Sequence, residues 1–141
     1  MRLQVRPGAN EAAKQAILND WYRAQVRQAA LPLIGKSERL MSVKLSGFLV
    51  RRMKTKWGSC SPHLATIRLN LELAKKPPEC LEYILVHEMV HLLEPTHNRR
   101  FSAHMDRFLP KWRFYRDELN RLPVSHQEWT IECRLFNSIF G

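Results

Sequence analysis

Apolar positions along this chain fall into blocks of different period. Between residues 10 and 30 they recur at helical spacing. Ala13, Ile17, Trp21 and Ala24 share one stripe whose polar member is Gln28, and Asn10 stands where an N-cap belongs. Pro32 and Gly35 are expected to end that helix. Over residues 42–53 the spacing loosens toward alternation through Val43, Leu45, Phe48 and Val50, which predicts a strand with a bulge at Gly47. WGSCSP (57–62) reads as a turn. ATIRLN (65–70) alternates cleanly, with Ala65, Ile67 and Leu69 on one side and Thr66, Arg68 and Asn70 on the other, as in a half-buried strand. After Pro77-Pro78 a helix is expected from about 79 to 93, and beyond Pro95 another fits 98–109, with Phe101, Met105, Phe108 and Leu109 at helical spacing. Pro110 interrupts it, and KWRFYRDELNRL continues helically. The tail QEWTIECRLFNSIF is amphipathic and fits a helix or a strand. A helix, then strands, then helices predicts an α+β fold rather than a doubly wound sheet.

The helix at 79–93 is unusual in being apolar nearly all round: Tyr83, Ile84, Leu85, Val86, Met89, Val90, Leu92 and Leu93 cover its surface. Such a helix is buried. Yet it carries His87, Glu88 and His91, and His97 follows in HEMVHLLEPTH (87–97). At about 100° per residue, His91 lies about 40° from His87, one turn away on the same face, and Glu88 lies about 100° to the side. Two imidazoles at this spacing can share one ion. A buried charge without a partner is costly, and a metal with its water supplies such partners. The bland alternative is three core residues hydrogen-bonded to backbone. The third ligand is expected to be His97, returned by the turn at Pro95, with His104 as the competitor. His63 and His126 have no spacing relation to the group.

Three neutral imidazoles holding zinc, or another divalent metal, leave a fourth position for water, whose pKa the metal lowers toward neutrality. Glu88 is positioned to act as general base and to return the proton to the leaving group. This donor set suits hydrolysis of an amide, an ester or a phosphoanhydride alike. The spacing also matches His-Glu-x-x-His-x-x-Gly-x-x-His, except that Glu94 stands where that pattern has glycine. Glycine there would allow a left-handed turn, so Glu94 predicts another exit: a helix end near Glu94 and an extended turn at Pro95. The Glu94 carboxylate is expected to bond a ligand histidine or to face solvent.

Bulk properties narrow the class. The chain has 141 residues, 45% hydrophobic and 26% charged, the composition of one globular domain rather than a disordered segment. No apolar run approaches the ~18 residues of a membrane span, and MRLQVRPGANEAAK lacks a signal-peptide core, so a cytoplasmic protein without a membrane partner is expected. Cys60, Cys80 and Cys133 are widely spaced, which argues against a disulfide framework or a cysteine zinc ribbon and suggests small buried side chains. The net charge of +10 is uneven. Residues 1–56 hold 12 Lys/Arg against 3 Asp/Glu, a net of +9. That surplus is either a solvated face or an anion-binding one.

Residues 51–101 resemble the YgjP-like metallopeptidases, a zincin family related to the SprT-like and WLM proteases. The resemblance rests on Lys54-Thr55, WGSCS (57–61), Ile67 with Leu69-Asn70, HEMVHLLEPTH and Phe101. It spans roughly residues 10–122, which makes 1–141 a single domain with 123–141 as a C-terminal extension. The N-terminal strands of such proteins are short or missing here, as in an N-terminally short member. The resemblance implies a minimal zincin: an N-terminal helix, a small mostly antiparallel sheet, the active-site helix and C-terminal helices. It implies His87, His91 and His97 as zinc ligands and Glu88 as catalytic base. Trp57 and Gly58 are expected to form a packed sheet-to-helix corner. Arg51, Lys54, Lys56, Arg68 and Asn70 are the candidates for substrate contact. A peptidase would take its substrate along an edge strand, expected to be ATIRLN. Two alternatives stay open: a nucleoside triphosphate (UTP) pyrophosphatase using the same metal, with basic side chains on the phosphates, and a nucleic-acid-associated protease of SprT-like type.

Overall fold

The computed structural model describes residues 11–121. These residues form four helices and a three-stranded sheet: α1 (Glu11–Met41), β1 (Gly47–Arg51), β2 (Gly58–Ser61), β3 (Thr66–Asn70), a 3-10 turn (Leu71–Lys75), α2 (Pro78–Val90), α3 (Arg99–Phe108) and α4 (Trp112–Arg121). The fold is α+β. Asn10, Cys133, His126 and the tail from 123 onward lie outside the described residues.

The apolar helix is the centre of the fold. Pro77 and Pro78 start α2, where a missing N–H costs nothing, and ten of its thirteen residues are buried. It packs against α1, α3, α4, β2 and β3. Leu85, Met89 and Val90 are fully enclosed.

α1 departs from expectation in two ways. It runs through Pro32 and Gly35 to Met41, because Ile34, Ser37 and Met41 continue the buried stripe begun by Val26 and Ala30. That packing outweighs the roughly 3 kcal/mol cost of an internal proline. The stripe read from the sequence is the wrong one: Ala13, Ile17, Trp21 and Ala24 are exposed, Ile17 and Trp21 at 40% and 42%, as is Leu31 beyond them at 55%. They lie on the side of α1 turned away from the core.

The sheet has the order β1-β3-β2, with β1 parallel and β2 antiparallel to β3, so it is mixed rather than mostly antiparallel. Gly47 pairs in register with Thr66, which leaves no bulge there. WGSCSP is not a turn, since Gly58–Ser61 form β2. The tight bend follows it: Leu64 and Ala65 donate to the carbonyls of Ser61 and Pro62, and Ala65 takes a φ of 52°. ATIRLN is consequently the central strand, and β2 is the edge beside α2. Gly58 explains how close that edge lies. A Cβ on it would stand 2.7 Å from Ile84 Cγ2, 3.1 Å from the Arg68 carbonyl oxygen and 3.2 Å from Glu88 Cγ. Trp57, 1% exposed, fills the corner beside it.

Candidate metal centre

Beyond Val90 the helix tightens. Leu92 and Leu93 donate to Met89 and Val90, three residues back, and Glu94 N bonds the Val90 carbonyl at 2.9 Å. The chain then turns at Pro95, and Asn98 caps α3 by accepting from Phe101 N at 3.0 Å. The short 94–98 segment is tied by its own side chains. Asn98 Nδ2 donates to Glu94 Oε1 and to Thr96 Oγ1, each at 3.0 Å, and Thr96 Oγ1 donates to Glu94 Oε1 at 3.3 Å. The Glu94 carboxylate therefore holds the loop rather than a ligand histidine. Its backbone carbonyl, 3.3 Å from His91 Nδ1, takes that role instead.

This route brings His97 back to α2. One ring nitrogen from each of His87, His91 and His97 lies within 4.8 Å of the others. His91 Nε2 and His97 Nε2 are 2.9 Å apart. Nitrogens around one tetrahedral zinc, at about 2.0–2.1 Å each, stand about 3.3 Å apart, so this group fits a single ion after small adjustments. With Nδ1 of His91 donating to the Glu94 carbonyl, its Nε2 presents a lone pair. His104 is not in this group and stacks on Phe108 instead. His63 is exposed on the bend after β2.

Electrostatics suit neutral ligands. Burial, followed by the charge of neighbouring histidines, pushes the His91 imidazole below its ordinary value and His97 down to about 4. Glu88 is 6% exposed, and His87 Nδ1 lies 3.0 Å from its Oε2. Burial raises this carboxyl, but His87 and the other two histidines outweigh burial and hold it below the usual carboxylate value. Cys60, the nearest thiol in the sheet, is pushed up to about 11, first by burial and then by Glu88. A thiol held protonated competes poorly with imidazole for an ion.

One member of the site had no chemical signal in the sequence. Phe101 is fully buried, and its ring centroid lies 5.0, 4.7 and 4.9 Å from those of His87, His91 and His97. It is the apolar wall against which all three imidazoles are set. In the sequence it is one more apolar residue in the α3 stripe.

The polar and cationic candidates fall in three places. Arg68 donates to Ser59 Oγ at 2.8 Å and Ser61 Oγ at 3.0 Å. Those serines alternate with Gly58 and Cys60, and Gly58 faces α2, so Arg68 lies on the sheet face turned away from the histidines. Asn70 is fully buried and cannot serve as a substrate contact in this state. Its Nδ2 donates to the Met53 and Lys56 carbonyls at 2.9 and 2.8 Å, and its Oδ1 accepts from Glu72 N at 3.0 Å. Arg51, Lys54 and Lys56 are exposed on the segment that crosses from β1 to β2 over the end of β3.

Comparison with known proteins gives the family and the fold. The profile of the YgjP-like metallopeptidase domain matches residues 1–122. The chain belongs to the YgjP-like metallopeptidase family. Its fold is also that of two archaeal crystal structures. One is the metallopeptidase zymogen of Pyrococcus abyssi abylysin, with TM-score 0.60 and 21% identity, covering 67% of this chain and 95% of that one. The other is the metallopeptidase zymogen of Methanocaldococcus jannaschii jannalysin, with TM-score 0.56 and 20% identity, covering 64% and 92%. No curated protein sequence matches. Among the described residues no helix is long and apolar enough to cross a membrane.

Proposed function

We propose that this YgjP-like protein is a zinc-dependent peptidase whose metal is held by His87, His91 and His97. The observation that carries the proposal is the convergence of three imidazole nitrogens within 4.8 Å, directly beside the buried Glu88 carboxylate. A zinc ion there would supply Lewis acidity and bring the pKa of a water toward neutrality. The chain's own groups do the rest. Glu88, charged at neutral pH, accepts the proton of the attacking water and delivers it to the leaving amine. The His91 ring is held in one tautomer by the Glu94 carbonyl, and Phe101 fixes the pitch of all three rings. An extended peptide lies along the open edge of β2, where backbone hydrogen bonds do not depend on sequence. This replaces β3 as the docking strand, because β3 is paired on both sides. Nucleotide hydrolysis would have to do without Arg68 as a phosphate contact, because it is on the far face of the sheet and engaged by two serines. The nucleic-acid reading rests on charge alone.

The test is cleavage of an unfolded protein by the zinc-loaded chain. Wild type should cleave it, and Glu88→Gln should retain the metal while losing at least about a hundredfold in kcat. Equal inertness of both on a broad peptide library would remove the proposal.

A further inference from the structure

The segment from Arg39 to Leu71 contains all three strands and both of their connections. It holds seven Lys/Arg and no Asp or Glu. Four of the seven cations, Arg51, Arg52, Lys54 and Lys56, are packed into six residues. All four are exposed. Where this loop runs is fixed by Asn70, whose buried amide holds the Met53 and Lys56 carbonyls, and by Asn70 N, which donates to the Trp57 carbonyl at 2.9 Å. The loop is a pinned structure, and it ends at the start of β2. Gly58, only two residues after Lys56, lies so near Glu88 that a Cβ on it would stand 3.2 Å from Glu88 Cγ. At about 3.3 Å per extended residue, Lys56 is therefore about 7 Å along the chain from the catalytic corner.

We propose that this loop selects acidic residues on the C-terminal side of the cleaved bond, with Lys56 as the principal specificity residue. The proposal rests on the peptidase reading above and on peptide docking along β2. A peptide added antiparallel to β2 continues past Gly58 toward Lys56 in its own N-to-C direction, so its residues after the scissile bond lie over the cations. Antiparallel addition is the commoner pairing. The loop offers point charges rather than a bidentate pocket, so it discriminates by field. It favours Asp and Glu at any of several neighbouring positions and disfavours Lys and Arg there. Arg68 takes no part, being on the opposite face and engaged by two serines.

The experiment uses the full zinc-loaded chain and one peptide backbone in three forms: two Asp two to four residues after the cleaved bond, two Asp two to four residues before it, and a neutral parent. Exposed charge pairs support a gain of about 3- to 10-fold in kcat/KM for Asp after the bond, mostly through KM. That gain should shrink as NaCl is raised past 0.5 M, where screening is nearly complete over about 5 Å. Lys56→Glu combined with Arg52→Glu should invert the ratio in favour of a peptide with two Lys at the same positions. Lys111→Glu, which reverses one charge between α3 and α4 instead of in the loop, should leave the ratio as it is. Equal turnover of all three peptides, or a gain only for Asp before the bond, overturns the proposal while leaving the peptidase reading standing. Turnover of none removes both. An oligodeoxynucleotide that blocks neutral-peptide cleavage in wild type but not in the Lys56/Arg52 variant, without any acidic preference, would assign the loop to nucleic acid and overturn the proposal.

Discussion

Gly58→Ala tests the link between the sheet edge and Glu88, the proposed general base. The added methyl meets Ile84 Cγ2 at 2.7 Å, closer than real contacts allow, and Glu88 Cγ and the Arg68 carbonyl at 3.2 and 3.1 Å. Ile84 is 5% exposed on a helix packed on all sides, so it has no free direction to move in. Overpacking of this kind costs about 1–3 kcal/mol, or roughly 3–5 °C in Tm per kcal/mol for a domain of this size. The relief must come partly from Glu88, so kcat should fall about tenfold with metal content unchanged. Ile84→Ala alone should destabilise by about 2–5 kcal/mol through its cavity. The double variant should recover at least about 1 kcal/mol relative to the sum of the two, because the cavity receives the methyl. Urea melts of the four proteins give the cycle, and turnover of an unfolded substrate gives kcat. A Gly58→Ala cost below about 0.5 kcal/mol, or strict additivity with Ile84→Ala, would refute the close-approach argument.

Further outcomes follow from the same geometry. The metal-free protein should lose stability on acidification. His97 titrates near 4 when folded and near 6.5 when unfolded. Its contribution is therefore present above about pH 6.5 and lost as pH falls toward 4, and the lowered His91 acts in the same direction. Thermal melts of chelator-treated protein should fall between pH 7.5 and 5, and a rise would contradict the neutral-ligand picture. Asn98→Ala removes the α3 cap and the tie to Glu94. It should cost about 1 kcal/mol in a urea melt and weaken zinc about tenfold in a chelator competition; Asn98→Asp should restore the cap but not the zinc affinity, because a carboxylate cannot donate to Glu94.

The histidine-bearing helix was legible because its signal is geometric. Histidines four apart on a helix apolar on every side leave few alternatives, and α2 begins and ends within three residues of expectation. The sheet was less legible. WGSCS has small side chains and a glycine in place of an alternating apolar pattern. Its strand is defined by what approaches it, namely Ile84 and Glu88, rather than by what it buries. Once β2 was misread as a turn, β3 had to be placed at the edge. In α1 two apolar stripes compete, and only tertiary contact with α2 and the 3-10 turn selects Val26, Ala30, Ile34 and Met41 over Ile17, Trp21 and Leu31. Phe101 was visible as core and as part of the family resemblance but not as the wall of the site, because no pattern in the sequence tells a wall of the site from a wall of the core.

The central claim is that His87, His91 and His97 hold one hydrolytic metal ion. Zinc X-ray absorption of the loaded protein, with metal stoichiometry, tests it most directly. One zinc per chain should show three imidazole nitrogens and one oxygen at about 2.0–2.1 Å, with one imidazole lost in His97→Ala. A sulfur at about 2.3 Å, or an unchanged spectrum in His97→Ala, would contradict it.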